Sequence, residues 1–356
     1  MHKLEGCSYF LQLCSWRLET IFTDFLNSLF MKAFKIFLAI FAVALVASCK
    51  NGPQLMPSIS GKAGEVVVVI NKTQWESDPG VALRSILAVD QPFLPQKEPL
   101  FNLINIPDNA FTGIFQSHRN IIVVNITSAA KESKVVFQEN VWAAPQIAIT
   151  ISAPDSKSAA EIIHKEKDKL ENALLQAERN RNIQNAKKYE EASLRTLVSE
   201  EFGGSPYFPT GYNLRKKTID FIWISYETTY VNQGIFIYRF PYTDSTAFTK
   251  EYLIGKRNEV LQQNVPGELD NTYMTTYLLQ EPGLRWVSYN KRKFVEIRGL
   301  WEVENDFMGG PFISHFFLDK ENQNIIALEA FVYAPRYNKR NYLRQVESII
   351  YSFEFF

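Results

Sequence analysis

The residues best able to do chemistry are concentrated between Arg298 and His315. Trp301, Phe307 and Phe312 supply flat apolar faces; Arg298, Asp306 and His315 supply charge and hydrogen bonds; Gly309 and Gly310 permit positive φ or close backbone approach. Aromatic faces with a few convergent polar groups suit a sugar or a peptide. The candidate ligand-binding residues are therefore Arg298, Trp301, Asp306, Gly309, Gly310 and His315. The same segment also reads as an ordinary β-hairpin, with a turn over Asn305 to Pro311 and its aromatics in a core, and both readings stand at this point. A Ser314–His315–Asp306 triad is disfavoured, because adjacent strand residues point to opposite faces. No catalytic residue is assigned.

Metal and cofactor chemistry find no local motif. His118, His164 and His315 share no His-x-x-x-His spacing, and Walker, Rossmann and Gly-x-Ser-x-Gly patterns are missing. No metal ligand and no cofactor is assigned. The basic run Lys291-Arg292-Lys293 and the cluster Arg336, Lys339, Arg340 and Arg344 suit lipid headgroups or acidic glycans, but such runs at turns and helix starts are expected to be solvated surface.

Compartment is legible near the start. Lys32 and Lys35 precede eleven apolar residues, Ile36 to Val46, too few to span a bilayer that needs roughly 20. Val46-Ala47-Ser48-Cys49 follows, resembling a bacterial lipobox in which the cysteine is acylated and the peptide cut before it. Residues 31–48 are thus expected to be a lipoprotein signal peptide with lipidation at Cys49, and residues 1–30 an upstream extension from an early start. Of the three cysteines, Cys7 and Cys14 lie upstream, so a processed chain has no disulfide. The partner implied is the membrane, through the lipid anchor.

The formal charge is zero, with 38 basic and 38 acidic residues, which argues against a nucleic-acid binder, since that needs a basic surplus to displace counterions from phosphates. Aromatic residues at 14% supply ample core. Residues 49–64, with Gly52, Pro53, Pro57 and Gly61, are expected to be a flexible tether. Val66 to Ile70 is a buried strand, and Asp78-Pro79 starts a helix. Asp155 to about Phe202 is a helical stretch, weakened around Asn180 to Asn182 and stopped by Gly203-Gly204; its nine basic and ten acidic residues make a balanced, solvated face. Strands over 218–226, 234–240, 286–289, 294–303, 312–318 and 325–333 follow, with helices near 244–263 and 338–351.

Three strands, ending at Pro154, Pro241 and Pro335, are each followed by a helix; proline ends a strand because it cannot donate to the ladder. The expected fold is α+β: antiparallel-rich sheets with helices packed on one face. Two subdomains, 65–204 with the long helix and the aromatic-rich 205–356, are consistent with an internal duplication.

Asp220-Phe221-Ile222-Trp223-Ile224, Arg298-Gly299-Leu300-Trp301, Asp306-Phe307-Met308-Gly309-Gly310-Pro311-Phe312 and Tyr333-Ala334-Pro335 together resemble a domain-of-unknown-function lipoprotein family of Bacteroidota envelopes. The resemblance implies an envelope lipoprotein and no particular activity. Surface-exported members often carry acids just after the cysteine; Lys50 to Gln54 contains none, which points to the outer membrane facing the periplasm. The expected role is a non-catalytic binding or scaffolding protein for an envelope protein or glycan. The alternative is an envelope hydrolase using carboxylates brought together by the fold, with Asp306 and Glu302 as nominal candidates.

Overall fold

The computed structural model describes residues 56–356 and, upstream, Met31. Cys49, the expected upstream extension and, apart from Met31, the expected signal peptide lie outside the described residues. Among the described residues no helix is long and apolar enough to cross a membrane.

The fold is α+β, built on two sheets. The first has the order β2-β1-β3-β5-β4, from strands β1 (Glu65–Val69), β2 (Asn102–Ile106), β3 (Asn120–Ile126), β4 (Lys134–Glu139) and β5 (Ile147–Ala153). Its β1–β2, β1–β3 and β3–β5 pairings are parallel, and only the exposed edge strand β4 runs antiparallel. Val66 to Val69 explain this: a β-branched run without alternation is covered on both faces, as a central parallel strand must be. Val66 and Val68 pack with α1 (Asp78–Leu87), α2 (Ser156–Lys165) and α3 (Lys167–Lys188), while Val67 and Val69 pack towards Phe111 and Trp142.

The helical stretch divides into α2, α3 and α4 (Ala192–Phe202), and Gly203 ends α4 in the left-handed conformation, φ 68°. The Asn-rich midsection does not weaken α3. Arg181 and Asn182 are instead partners in tertiary contacts: Asn182 Nδ2 donates to Ser348 Oγ at 3.2 Å, and Arg181 Nη1 to Pro145 O at 3.3 Å. Of the expected tether, the part from Pro57 onward is tied down: Ala144 donates its amide to Pro57 O, and Ser60 donates its amide to Ser117 O.

The second sheet is antiparallel and has eight strands. Beside the two-residue β6 (Gly204–Ser205), they are β7 (Asn213–Lys217), β8 (Phe221–Glu227), β9 (Asn232–Pro241), β10 (Met274–Thr276), β11 (Gly283–Tyr289), β12 (Arg292–Val303), β13 (Gly309–Leu318) and β14 (Asn324–Tyr333). Their order is β10-β12-β13-β14-β9-β8-β7, with β11 on β12. One face packs on α4 and on α6 (Arg340–Tyr351) through Leu343, Val346 and Ile350; the other packs on α5 (Lys250–Asn264) through Leu253 and Leu261. Helices therefore cover both faces of this sheet, and the central strands β9, β12, β13 and β14 are buried on both sides along most of their length. All three strand–proline–helix units are present, but the two sheets differ in strand order and direction, so the expected duplication does not extend to them.

Candidate functional site

Between the two sheets lies a cleft of about 840 Å³. Its walls are the 91–93 loop after α1, the stretch of α3 from Glu171 to Arg179, strand β11, the inward residues of β12, and α6. Polar clamps join the halves behind it. Glu98 accepts from the amides of Lys339, at 2.5 Å, and Arg340, at 3.0 Å, and Arg344 Nη2 donates to Leu100 O at 2.6 Å. This corrects the reading of Lys339, Arg340 and Arg344 as solvated surface: they are 3%, 5% and 8% exposed. An amphipathic helix wedged between two layers has little free surface, and its basic residues find carbonyls and Glu98.

The floor of the cleft is an ionic network on one face of β12. Glu296 and Arg298, two apart on a strand, point the same way. Glu296 accepts from Arg298 Nε at 2.8 Å, from Arg285 Nε at 2.7 Å and from Tyr351 OH at 2.7 Å. Arg298 and Arg179 donate to Glu347 Oε1 at 2.7 and 3.0 Å. The Arg179 guanidinium also lies 3.8 Å from the Tyr351 ring centroid. Burial pushes the Glu347 carboxyl up, but Arg298 and then Arg179 outweigh it and hold it at about 2. Burial likewise opposes ionisation of Glu296, and the Arg298 guanidinium outweighs it and brings the carboxyl well below the usual carboxylate range. Both acids stand as carboxylates.

His315 sits opposite Glu296 in the β12–β13 register. It is fully buried, its ring 4.1 Å from Phe294 and 4.6 Å from Tyr351, and burial lowers its pKa to about 4 despite Glu296. Glu296 Oε2 approaches Nε2 at 3.4 Å without a hydrogen bond, and neither ring nitrogen has a partner. A locked, neutral imidazole offers no proton relay to the cleft. Arg344, on the cleft wall, has Nε and Nη1 without partners, and burial pulls its pKa down to about 10, with Arg340 adding to the effect.

The structure divides the sequence-derived residues between two faces. Arg298 and His315 belong to the cleft side. Trp301 points to the other face, 2% exposed in the core against Phe331, its Nε1 donating to Val332 O at 3.3 Å. Asp306 caps the exposed turn, accepting from the Phe307 amide at 2.6 Å. Gly309 and Gly310 lie within β13, and the left-handed residue of the turn is Asn305, φ 62°. These six do not form one platform. Ser314 and His315 do face apart: Ser314 Oγ donates to Glu329 on the α5 side. Glu302, whose pKa burial and then Glu304 raise, and Asp306 do not line the cleft.

Arg179, Arg285, Glu296, Arg344 and Glu347 were missed as a group. Two signals were present: a charged Glu296-x-Arg298 pair within a strongly apolar strand, and Arg344 with Glu347 one turn apart beside the apolar stripe of α6. Charge at core-facing spacing marks a buried network.

No curated protein matches the chain. A solved structure from Bacteroides thetaiotaomicron VPI-5482 is similar at 12% identity over 43% of this chain and 45% of its own, with a TM-score of 0.25, so the chain spans less than half of it. Residues 59–187 match the family described as Domain of unknown function (DUF8532), and residues 191–352 match Domain of unknown function (DUF4837). Segment by segment, the chain is similar to two families whose role is unknown.

Proposed function

We propose that this chain is a bacterial envelope lipoprotein, held on the outer membrane through Cys49 and facing the periplasm, that binds an acidic partner in the cleft without catalysing a reaction. One observation carries the binding reading. The cleft presents Arg179, Arg285, Arg298 and Arg344 against three carboxylates, Glu171, Glu296 and Glu347, the last two held ionised. General acid catalysis needs a carboxyl kept protonated near neutral pH, and these are pushed the other way. The surplus of arginine suits a carboxylate-bearing peptide or glycan, whose planar anions guanidinium groups meet bidentately. Tyr289 adds aromatic surface to the same wall.

The test is crosslinking and pull-down from the native envelope with the wild type and Arg285→Glu. Arg285 is 61% exposed, and Arg298 and Tyr351 still hold Glu296 when it is reversed; a melting temperature matching the wild type establishes that the fold is kept. A partner captured by the wild type and lost with Arg285→Glu supports the cleft; a partner set unchanged by it sinks this reading.

A further inference from the structure

The carboxyl ends of the parallel strands in the first sheet border a second recess, of about 590 Å³. Strand order explains its place. β1 continues through Asn71 and Gln74 into α1 and on to β2 at one side of the sheet, whereas β3 continues through Thr127 to Ala130 into β4 at the other. The two connections part between β1 and β3, and in open parallel sheets ligands bind in the crevice at such a switch point, outside the carboxyl ends of the strands. The lining agrees with that rule. Gln74 follows β1, Asp108 follows β2, Asn125 ends β3, and Lys134 pairs with Ser152 where β4 meets the end of β5. All of these stand on the same edge of the sheet.

The edge offers hydrogen bonds of both senses. Asn71 Nδ2 donates to Gln74 Oε1 at 2.9 Å, and Asn71 Oδ1 accepts from the Gln74 amide at 3.0 Å, which orients the Gln74 side chain and leaves its Nε2 donors unused. Asp108, Asn125 and Lys134 are exposed and Ser152 is half-buried, and among the described residues these four side chains make no ion pair or hydrogen bond. Asp108 and Lys134 balance each other in charge, no aromatic ring is among the described residues of the lining, and Ile126 and Ala130 supply apolar surface.

We propose that this recess binds a neutral sugar, a mono- or disaccharide, with its hydroxyls at Gln74, Asp108 and Asn125 and its C–H face towards Ile126 and Ala130. A carboxylate or a side-chain amide is planar and presents two polar atoms side by side, which two adjacent hydroxyls meet together. A phosphate or other polyanion would face Asp108 with Lys134 alone to offset the repulsion, and a nucleobase or flavin would have no ring to stack on. The volume lies within the range of ligand sites. The inference stands on the first sheet alone and does not rest on the cleft's function.

Saturation-transfer NMR on the full chain tests it with a panel of glucose, galactose, mannose, N-acetylglucosamine, maltose and cellobiose. Glucose 6-phosphate is the anionic arm and capped triglycine the peptide arm. The expected result is saturable binding of at least one panel sugar, at least tenfold tighter than either arm, and weakened at least tenfold in Asp108→Ala/Asn125→Ala. Gln74→Ala takes the place of that variant if its melting temperature falls. No saturable binding across the panel, binding of either arm as tight as the best sugar, or sugar binding untouched by the variant each overturns the proposal.

Discussion

Arg298 and Glu347 meet at 2.7 Å across the gap between β12 and α6, and the same carboxylate oxygen accepts from Arg179 of α3. One acid thus ties the floor of the cleft to both of its helical walls. Arg298 also serves Glu296, so a single guanidinium neutralises two buried carboxylates.

Arg298→Ala leaves both acids short of their main cation. Removing one partner of a buried pair costs about 3–5 kcal/mol. Urea unfolding is expected to show a loss of that size, and a loss under 1 kcal/mol would mean that the network is not formed.

Stability should fall with acid in two stages. His315 is neutral in the fold down to about pH 4 and titrates near 6.5 when unfolded, so the unfolded chain gains a proton first and stability declines from pH 6.5 to 4. Glu347, at about 2 in the fold against 4.5 unfolded, contributes stability above pH 4.5 that disappears as pH falls towards 2. His315→Phe, which keeps a ring between Phe294 and Tyr351, should flatten the first stage and leave the second. Denaturant midpoints measured across pH 2 to 7 check both signs.

A Cβ at Gly310 would stand 2.1 Å from the carbonyl oxygen of Val332. Backbone cannot yield as a flexible side chain does, so Gly310→Ala should cost about 2–3 kcal/mol. Gly203→Ala meets nothing within 4 Å but must hold φ +68°, and about 1 kcal/mol is expected. Thermal melts that reverse this order contradict the packing of β13 against Val332.

Arg257 and Glu329 are both 0% exposed on the α5 side, joined at 2.7 and 2.9 Å. Either alone, as Arg257→Met or Glu329→Leu, strands a charge and should cost about 3–5 kcal/mol, whereas the double variant should recover most of it. A double-mutant cycle with additive losses rejects the coupling.

Cys49 is the expected point of lipidation. Cys49→Ser should abolish palmitate labelling and shift the protein from the detergent phase to the aqueous phase; retained labelling rules out the anchor.

Element placement was legible along the chain because its causes are local. Proline ends three strands, Gly203 stops α4, Pro79 opens α1, and apolar runs mark β1, β12, β13 and β14 within a few residues of their observed ends. Backbone propensity and burial period act over windows of five to fifteen residues, which the sequence displays directly. The cleft lies beyond that range. Arg179, Arg298 and Glu347 sit on three elements far apart in sequence, and they meet only because β12 pairs with β13 in one register and α6 packs between the layers. The same register sends Trp301 to one face of the sheet and Arg298 to the other, dividing residues that look like one cluster in the sequence. A strand's alternation says that two faces exist; which face meets which helix is decided by long-range packing, whose free energy is shared among residues that no local window contains.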